Sequence, residues 1–256
     1  MLRLSKRLEM IAEQVPVGSR MADIGSDHAL LPSYLAEQGR VSKAVAGEVN
    51  LGPYQAAAKQ VRDAVLGSII DVRLGDGLAV IEPGEVDVIT IAGMGGALIA
   101  TILEAGKDKL AGVSMLILQP NVGESFVRMW LLEHDWVLTR EQILEEDGKI
   151  YEILTAVPAQ LTEITNEKVY ESRRVGEGII ANEELQLKLG PYLLQQPSSV
   201  WFLKWKLELD KLEMIRGQLA HSSLQESRSK EQIIEAEMKQ IKEVLACLQK
   251  DKASFN

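Results

Sequence analysis

The stretch that most constrains this chain is Met21 to His28, reading Met-Ala-Asp-Ile-Gly-Ser-Asp-His. An apolar run ends in an acidic residue, a glycine follows, and helical spacing begins at Ala29. That order predicts a buried strand, a tight turn and a helix. Gly25 can take backbone angles closed to other residues and lets a ligand lie against the main chain. The helix behind it offers unpaired N–H groups. Asp23 then stands at the carboxyl edge of an open α/β sheet, where ligands bind.

The neighbouring segments extend the pattern. Residues 4–14 read as an amphipathic helix with Arg3, Lys6 and Arg7 near its start. Strands are expected at 20–24, 43–49, 70–74, 86–91 and 114–118, with helices at 29–38, 53–65, 96–106 and 125–133 between them. This is a parallel sheet covered on both faces. Two further strand-like runs, 136–144 and 150–157, flank an Asp147-Gly148 pair that signals a hairpin. A parallel sheet closed by an antiparallel hairpin is the methyltransferase variant of the Rossmann-like fold.

After Pro158 the composition changes, and the chain divides into a cofactor-binding domain over 1–160 and a helical domain over 161–256. Residues 163–188 read as helical. In the last segment Ile234, Met238, Ile241, Leu245 and Leu248 recur at intervals of four and three, the seam of a coiled coil. The expected partner carries Phe202, Trp205, Leu209, Leu212 and Leu219, with a turn over Ser222–Ser229.

The site chemistry follows from three acidic positions after three successive strands, Asp23, Glu48 and Asp76. Asp23 and Asp27 flank the glycine turn with negative charge, so a phosphate is poorly served there and a cationic or zwitterionic cofactor fits better. S-adenosylmethionine carries a sulfonium and an amino group. A carboxylate after the second strand can accept both ribose hydroxyls, and one after the third can accept the adenine amino group. Ala92-Gly93-Met94-Gly95 permits close backbone approach beside the methyl end. The expected cofactor set is Asp23, Gly25, Ser26, Asp27, His28, Glu48, Val49, Asn50, Gly75, Asp76, Gly77, Ala92, Gly93, Met94 and Gly95. Asp27 and His28 are the candidates nearest the reacting atoms. Gln119, Pro120 and Asn121 end the fifth strand, where amides could meet the edge of a base.

Composition narrows the partners. The net charge is −9, and residues 1–160 hold 14 Lys+Arg against 22 Asp+Glu, so a polyanion must be held by a local basic patch. Arg3, Lys6 and Arg7 form one candidate, and Lys204, Lys206, Lys211 and Arg216 another. His134 and His221 read as ordinary helix or surface residues. Cys247 is the only cysteine, which fits a reducing cytoplasm. No signal-peptide core, transmembrane span or metal-ligand spacing is present in the pattern. From residues alone the alternatives are a nucleic-acid methyltransferase, a small-molecule or protein methyltransferase, and a noncatalytic scaffold on the same fold.

Asp23-Ile-Gly-Ser-Asp-His28, Gly47-Glu-Val-Asn50, Gly75-Asp-Gly77, Ala92-Gly-Met-Gly-Gly96 and Leu118-Gln-Pro-Asn121 together resemble the bacterial tRNA adenine-N1-methyltransferases of the TrmK family. The likeness spans the chain, including the helical tail. It implies methylation of N1 of adenosine 22 in tRNA with S-adenosylmethionine as donor, and so tRNA as the partner. Apart from the resemblance, no metal and no membrane are expected, and the chain is expected to be a monomer or weak dimer. Two departures from the wider superfamily stand out. Asp27 occupies the usual second glycine of the first motif, and Ala-Gly-Met-Gly replaces the Asp/Asn-Pro-Pro-aromatic motif of exocyclic amino methylation.

Overall fold

The computed structural model describes residues 2–175, 178–220 and 225–254. The chain forms two compact units, Met1–Val169 and Tyr170–Asn256.

The first unit runs α1 (Lys6–Gln14), β1 (Ser19–Ile24), α2 (Leu30–Glu37), β2 (Val41–Glu48), α3 (Leu51–Asp63), β3 (Ile70–Leu74), β4 (Val88–Gly95), α4 (Gly96–Ala105), β5 (Met115–Val122), α5 (Glu124–Glu133), β6 (Trp136–Glu146), β7 (Lys149–Pro158) and α6 (Asn166–Val169). Its sheet has the order β3-β2-β1-β4-β5-β7-β6. Strands β1 to β5 are parallel, and β7 runs antiparallel to both β5 and β6. The central strands are apolar on both faces because helices cover both: Met21, Ile89, Ile91, Leu116, Ile117 and Leu118 are all buried. The chain reverses its direction of travel across the sheet between β1 and β4, the switch point at which such sheets bind ligands. Register then aligns the carboxyl ends, with Ile24 opposite both Gly47 and Ile91, and Ala92 opposite Gln119.

The Asp147-Gly148 signal produces the expected tight hairpin, with both residues at positive φ (51° and 72°) and Glu146 paired to Lys149. Strand β4 is longer than its apolar run. It continues through Gly95, with the β4–β5 register shifting on either side of Met94. The glycines therefore bend a strand, and the helix begins only at Gly96. The first unit also continues past residue 160, because Val169 is buried and Asn166 Nδ2 donates to the Trp136 carbonyl.

Of the helical stretch expected over 163–188, residues 166–169 (α6) and 183–188 are helical, but in the second unit its middle forms a small hairpin, β8 (Arg173–Val175) paired to β9 (Ile179–Ala181), which leads into α7 (Glu183–Leu189). Gly178 at φ 98° leads into β9. Buried Gln186 donates to the carbonyls of Tyr170, Glu171 and Ala181, tying α7 to the hairpin. Then come α8 (Pro191–Gln195), α9 (Ser199–Ala220) and α10 (Gln225–Ser254). Helices α9 and α10 pack together. Trp201, Trp205, Leu212, Met238, Ile241 and Val244 are buried, whereas Phe202, Leu209, Leu219, Ile234, Leu245 and Leu248 are half-buried. Of the expected turn, residues 222–224 lie outside the described residues, as does His221, while 225–229 are already helical. Among the described residues no helix is long and apolar enough to cross a membrane.

Candidate active site

The site is built from the strand ends upward. Asp23 is buried in β1, and both of its oxygens are engaged: Ser26 Oγ donates to Oδ2 at 2.6 Å and Thr90 Oγ1 to Oδ1 at 2.5 Å. Burial pushes the Asp23 carboxyl above its ordinary value, while the two hydroxyl bonds and the Arg7 charge hold it down. Gly25 takes φ +70°, and a Cβ there would overlap the Met94 methyl. The turn after β1 is therefore packed around a missing side chain.

The next three residues, Asp27, His28 and Ala29, all have positive φ (44°, 65° and 55°). Left-handed backbone costs about 1–2 kcal/mol per non-glycine residue, so this segment is strained. Its product is orientation: the backbone N–H groups of Asp27 and His28 act on the Glu48 carboxylate, opposing the burial that raises its pKa. The Asp27 and His28 side chains are exposed, 3.6 Å apart at Oδ1 and Nε2.

Glu48 is 6% exposed, and its Oε1 is buried with no hydrogen-bond partner. An unsatisfied buried acceptor costs about 1–3 kcal/mol, and hydroxyl donors of a sugar are the groups that relieve it. Val49 and Asn50 follow it into solvent. Gly47 and Gly75 both close on Val80, whose methyls would lie 2.8 Å and 2.9 Å from added Cβ atoms. Asp76 is exposed at the start of the short 3-10 turn Gly77–Val80. An adenosine-bearing cofactor fits this set: an orphan carboxylate for hydroxyls, an exposed one for an amine, and glycine turns for close approach.

Met94 and Gly25 both line a cavity of about 320 Å³. Asp23, Gly25, Ser26 and Asp27 line one part of it, and Arg7, Gly93, Asn121 and Tyr151 another. Arg7 Nη1 donates to Gln119 Oε1 at 2.5 Å, and its guanidinium lies 5.3 Å from the Tyr151 ring centroid. Gln119 Oε1 also accepts the Gly93 N–H at 3.1 Å, and Asn121 Nδ2 donates to the Gly93 carbonyl at 2.7 Å. Helix α1 is held in place by Glu146, which accepts the N–H groups of Lys6 (2.6 Å) and Arg7 (3.2 Å).

Structure therefore separates the basic corner read from the sequence. Arg7 is half-buried in the cavity, while Arg3 and Lys6 are exposed. Pro120 and Gln119 are buried and Asn121 is exposed. Sequence reasoning missed Thr90, Tyr151 and Glu146. Thr90 had a visible signal, a hydroxyl in an otherwise apolar strand. Tyr151 had none, because its place depends on how β7 registers against the sheet. Among the described residues no cluster of three or more His, Cys, Asp or Glu could hold a metal.

A Rossmann-like sheet closed by an antiparallel hairpin, with carboxylates at successive strand ends and an adenosine-shaped set of acceptors, defines an S-adenosylmethionine-dependent methyltransferase. The model of the TrmK family, tRNA (adenine(22)-N(1))-methyltransferase, matches residues 21–243, and the chain belongs to that family. It is 44% identical over 245 residues to the tRNA (adenine(22)-N(1))-methyltransferase of Bacillus subtilis strain 168, covering 95% of this chain and 98% of that one. The crystal structure of the B. subtilis m1A22 tRNA methyltransferase TrmK superposes with a TM-score of 0.85 at 44% identity, covering 96% of this chain and 100% of that one. Streptococcus pneumoniae Sp1610, a putative tRNA (m1A22) methyltransferase solved with S-adenosyl-L-methionine, matches at TM-score 0.77 and 41% identity, covering 95% and 100%.

Proposed function

We infer that this chain methylates N1 of adenosine 22 in tRNA, with S-adenosylmethionine as donor. The observation that carries this reading is a cavity lined both by Asp23, Gly25 and Ser26 and by Asn121 and Tyr151. Cofactor-type and base-type linings meet there.

When bound, the cofactor supplies an electrophilic methyl group on a sulfonium. Glu48 accepts the ribose hydroxyls, for which its buried Oε1 has no other partner. Asp76 accepts the adenine amino group. Gly25 and the Gly93 bend let the methionine end lie against the backbone, and Arg7 is the cation in the cavity wall that meets its carboxylate. Ser26, Val49, Asn50, Gly75, Gly77, Ala92 and Gly95 complete the enclosure. Adenine N1 carries its own lone pair, so alignment rather than deprotonation is the task of the protein. Asp27 and His28 stand nearest the reacting atoms, and the carboxylates of Asp23 and Asp27 favour the cationic product. The base must leave its paired or stacked position to enter, at a cost of about a few kcal/mol.

Exposed Arg3 and Lys6 serve the phosphate backbone, as do Lys204, Lys206, Lys211 and Arg216 on the long helix α9 of the second unit. The protein acts as a monomer or weak dimer in the cytoplasm, without metal. Incubation with labelled S-adenosylmethionine and unmodified bulk tRNA, followed by digestion, tests the reading. N1-methyladenosine is the expected product; cofactor binding without incorporation would point to a small-molecule or protein substrate, and no cofactor binding to a scaffold.

A further inference from the structure

Gln119 and Asn121 form a chain of hydrogen bonds whose direction is fixed at both ends. The Arg7 guanidinium and the Gly93 N–H can only donate, and both address the same atom of Gln119, so that atom is Oε1 (2.5 Å and 3.1 Å). Nε2 must then point the other way, where it donates to the Pro120 carbonyl (2.8 Å) and to Asn121 (3.1 Å). The atom of Asn121 that receives it is therefore Oδ1. This leaves Nδ2 facing the Gly93 carbonyl, which can only accept (2.7 Å). Neither amide can turn over without opposing two donors or two acceptors.

The two amides differ in what they have left. Gln119 is fully buried, with two bonds accepted and two donated. It has no edge to offer a base and acts as a positioning residue. Asn121 is exposed and lines the cavity, and it has used one of its two N–H groups and one of its two lone pairs. One donor and one acceptor remain, in an order that Gln119 dictates.

This inference rests on the reading that the target base is an adenine methylated at N1. N1 must keep its lone pair free, so recognition has to come from the edge carrying N6 and N7. An asparagine amide matches that edge with two bonds, accepting from N6 and donating to N7. We propose that Asn121 reads the N6/N7 edge of the target adenine, and that Gln119 positions it by fixing which amide atom accepts and which donates. Guanine presents O6 and N7, two acceptors, so its O6 would face Asn121 Oδ1.

A two-by-two measurement of kcat/KM tests the pairing. The substrates are tRNA transcripts with adenosine or 7-deazaadenosine at position 22; the enzymes are the wild type and Asn121→Ala, with cofactor affinity measured for both. Wild type should lose at least about tenfold on the 7-deaza transcript, the size of one good base contact. Asn121→Ala should be slower on adenosine and lose nothing further on 7-deazaadenosine. The cycle cancels any effect of the analogue on N1 basicity or on tRNA folding. Equal losses in the two enzymes, or no loss in wild type, overturn the proposal. If Asn121→Ala is too slow to measure, Asn121→Asp keeps the acceptor for N6 and lacks the donor for N7. The same insensitivity is then expected, and a persisting tenfold loss overturns the assignment. Failure of wild type to methylate the adenosine transcript would instead remove the underlying function.

Discussion

Gly25 lies directly against the methyl of Met94, so closely that a Cβ on Gly25 would clash with it. The contact joins the β1 turn to the bent end of β4. It makes an absent side chain part of the packing.

Replacing Gly25 by alanine separates folding from binding. The residue sits at φ +70°, where alanine costs about 1–2 kcal/mol, and Met94 is long enough to swing away. Denaturant unfolding should show a loss of that order. Met94 then swings into the cavity, and affinity for S-adenosylmethionine should fall by more than the stability loss implies. Unchanged affinity would remove the turn from the cofactor site.

The placement of Arg7 predicts a division among three neighbouring cations. Arg7→Ala should weaken cofactor binding and lower kcat, because Arg7 holds Gln119 and faces the cavity. Arg3→Ala and Lys6→Ala should raise KM for tRNA and flatten its salt dependence, as expected when phosphate contacts are lost. The opposite pattern, with Arg7→Ala changing only the salt slope, would return Arg7 to the RNA surface.

Glu48 links the site to stability. Burial raises its pKa above the ordinary carboxylate value, so the folded state binds this proton more tightly than the unfolded state. Its ionisation therefore lowers stability as pH rises through that interval, with the full penalty present above the raised value. Glu48→Gln should melt higher than wild type near neutral pH, and the advantage should vanish in acid. Its cofactor affinity should fall about tenfold, the size of a charge-assisted hydrogen bond. Thermal melts across pH that show no gain for Glu48→Gln would contradict the linkage.

Arg128 is fully buried on α5 between Glu141 of β6 and Glu152 of β7, at 2.6 Å and 2.5 Å. Removing the arginine leaves two carboxylates inside the protein, and breaking such a pair costs about 3–5 kcal/mol. Arg128→Met should lose stability on that scale by chemical denaturation while cofactor affinity, measured where the variant is folded, stays the same. A loss under 1 kcal/mol, roughly the level of an exposed pair, would show the cluster to be incidental.

Much of the first unit was legible because its signals are local. The apolar runs of β1 and β5, the Gly25 turn and the Asp147-Gly148 hairpin each depend on neighbouring residues. Asp23 and Glu48 were legible for the same reason, standing where strands end. What escaped depends on distant pairing. Arg7 and Gln119 are separated by 112 positions, and helical spacing shows that Arg7 projects but not what it meets. The amide chain through Gln119 and Asn121 is a property of register between β4 and β5. The error over 163–188 has another cause: strands of three residues, Arg173–Val175 and Ile179–Ala181, are too short to break a helical pattern.

The most direct measurement is methylation of two tRNA transcripts, one with adenosine and one with guanosine at position 22, followed by nucleoside analysis. N1-methyladenosine in the first and none in the second is the expected result. N6-methyladenosine in the first, or equal incorporation into both, would contradict the reaction assigned to this site.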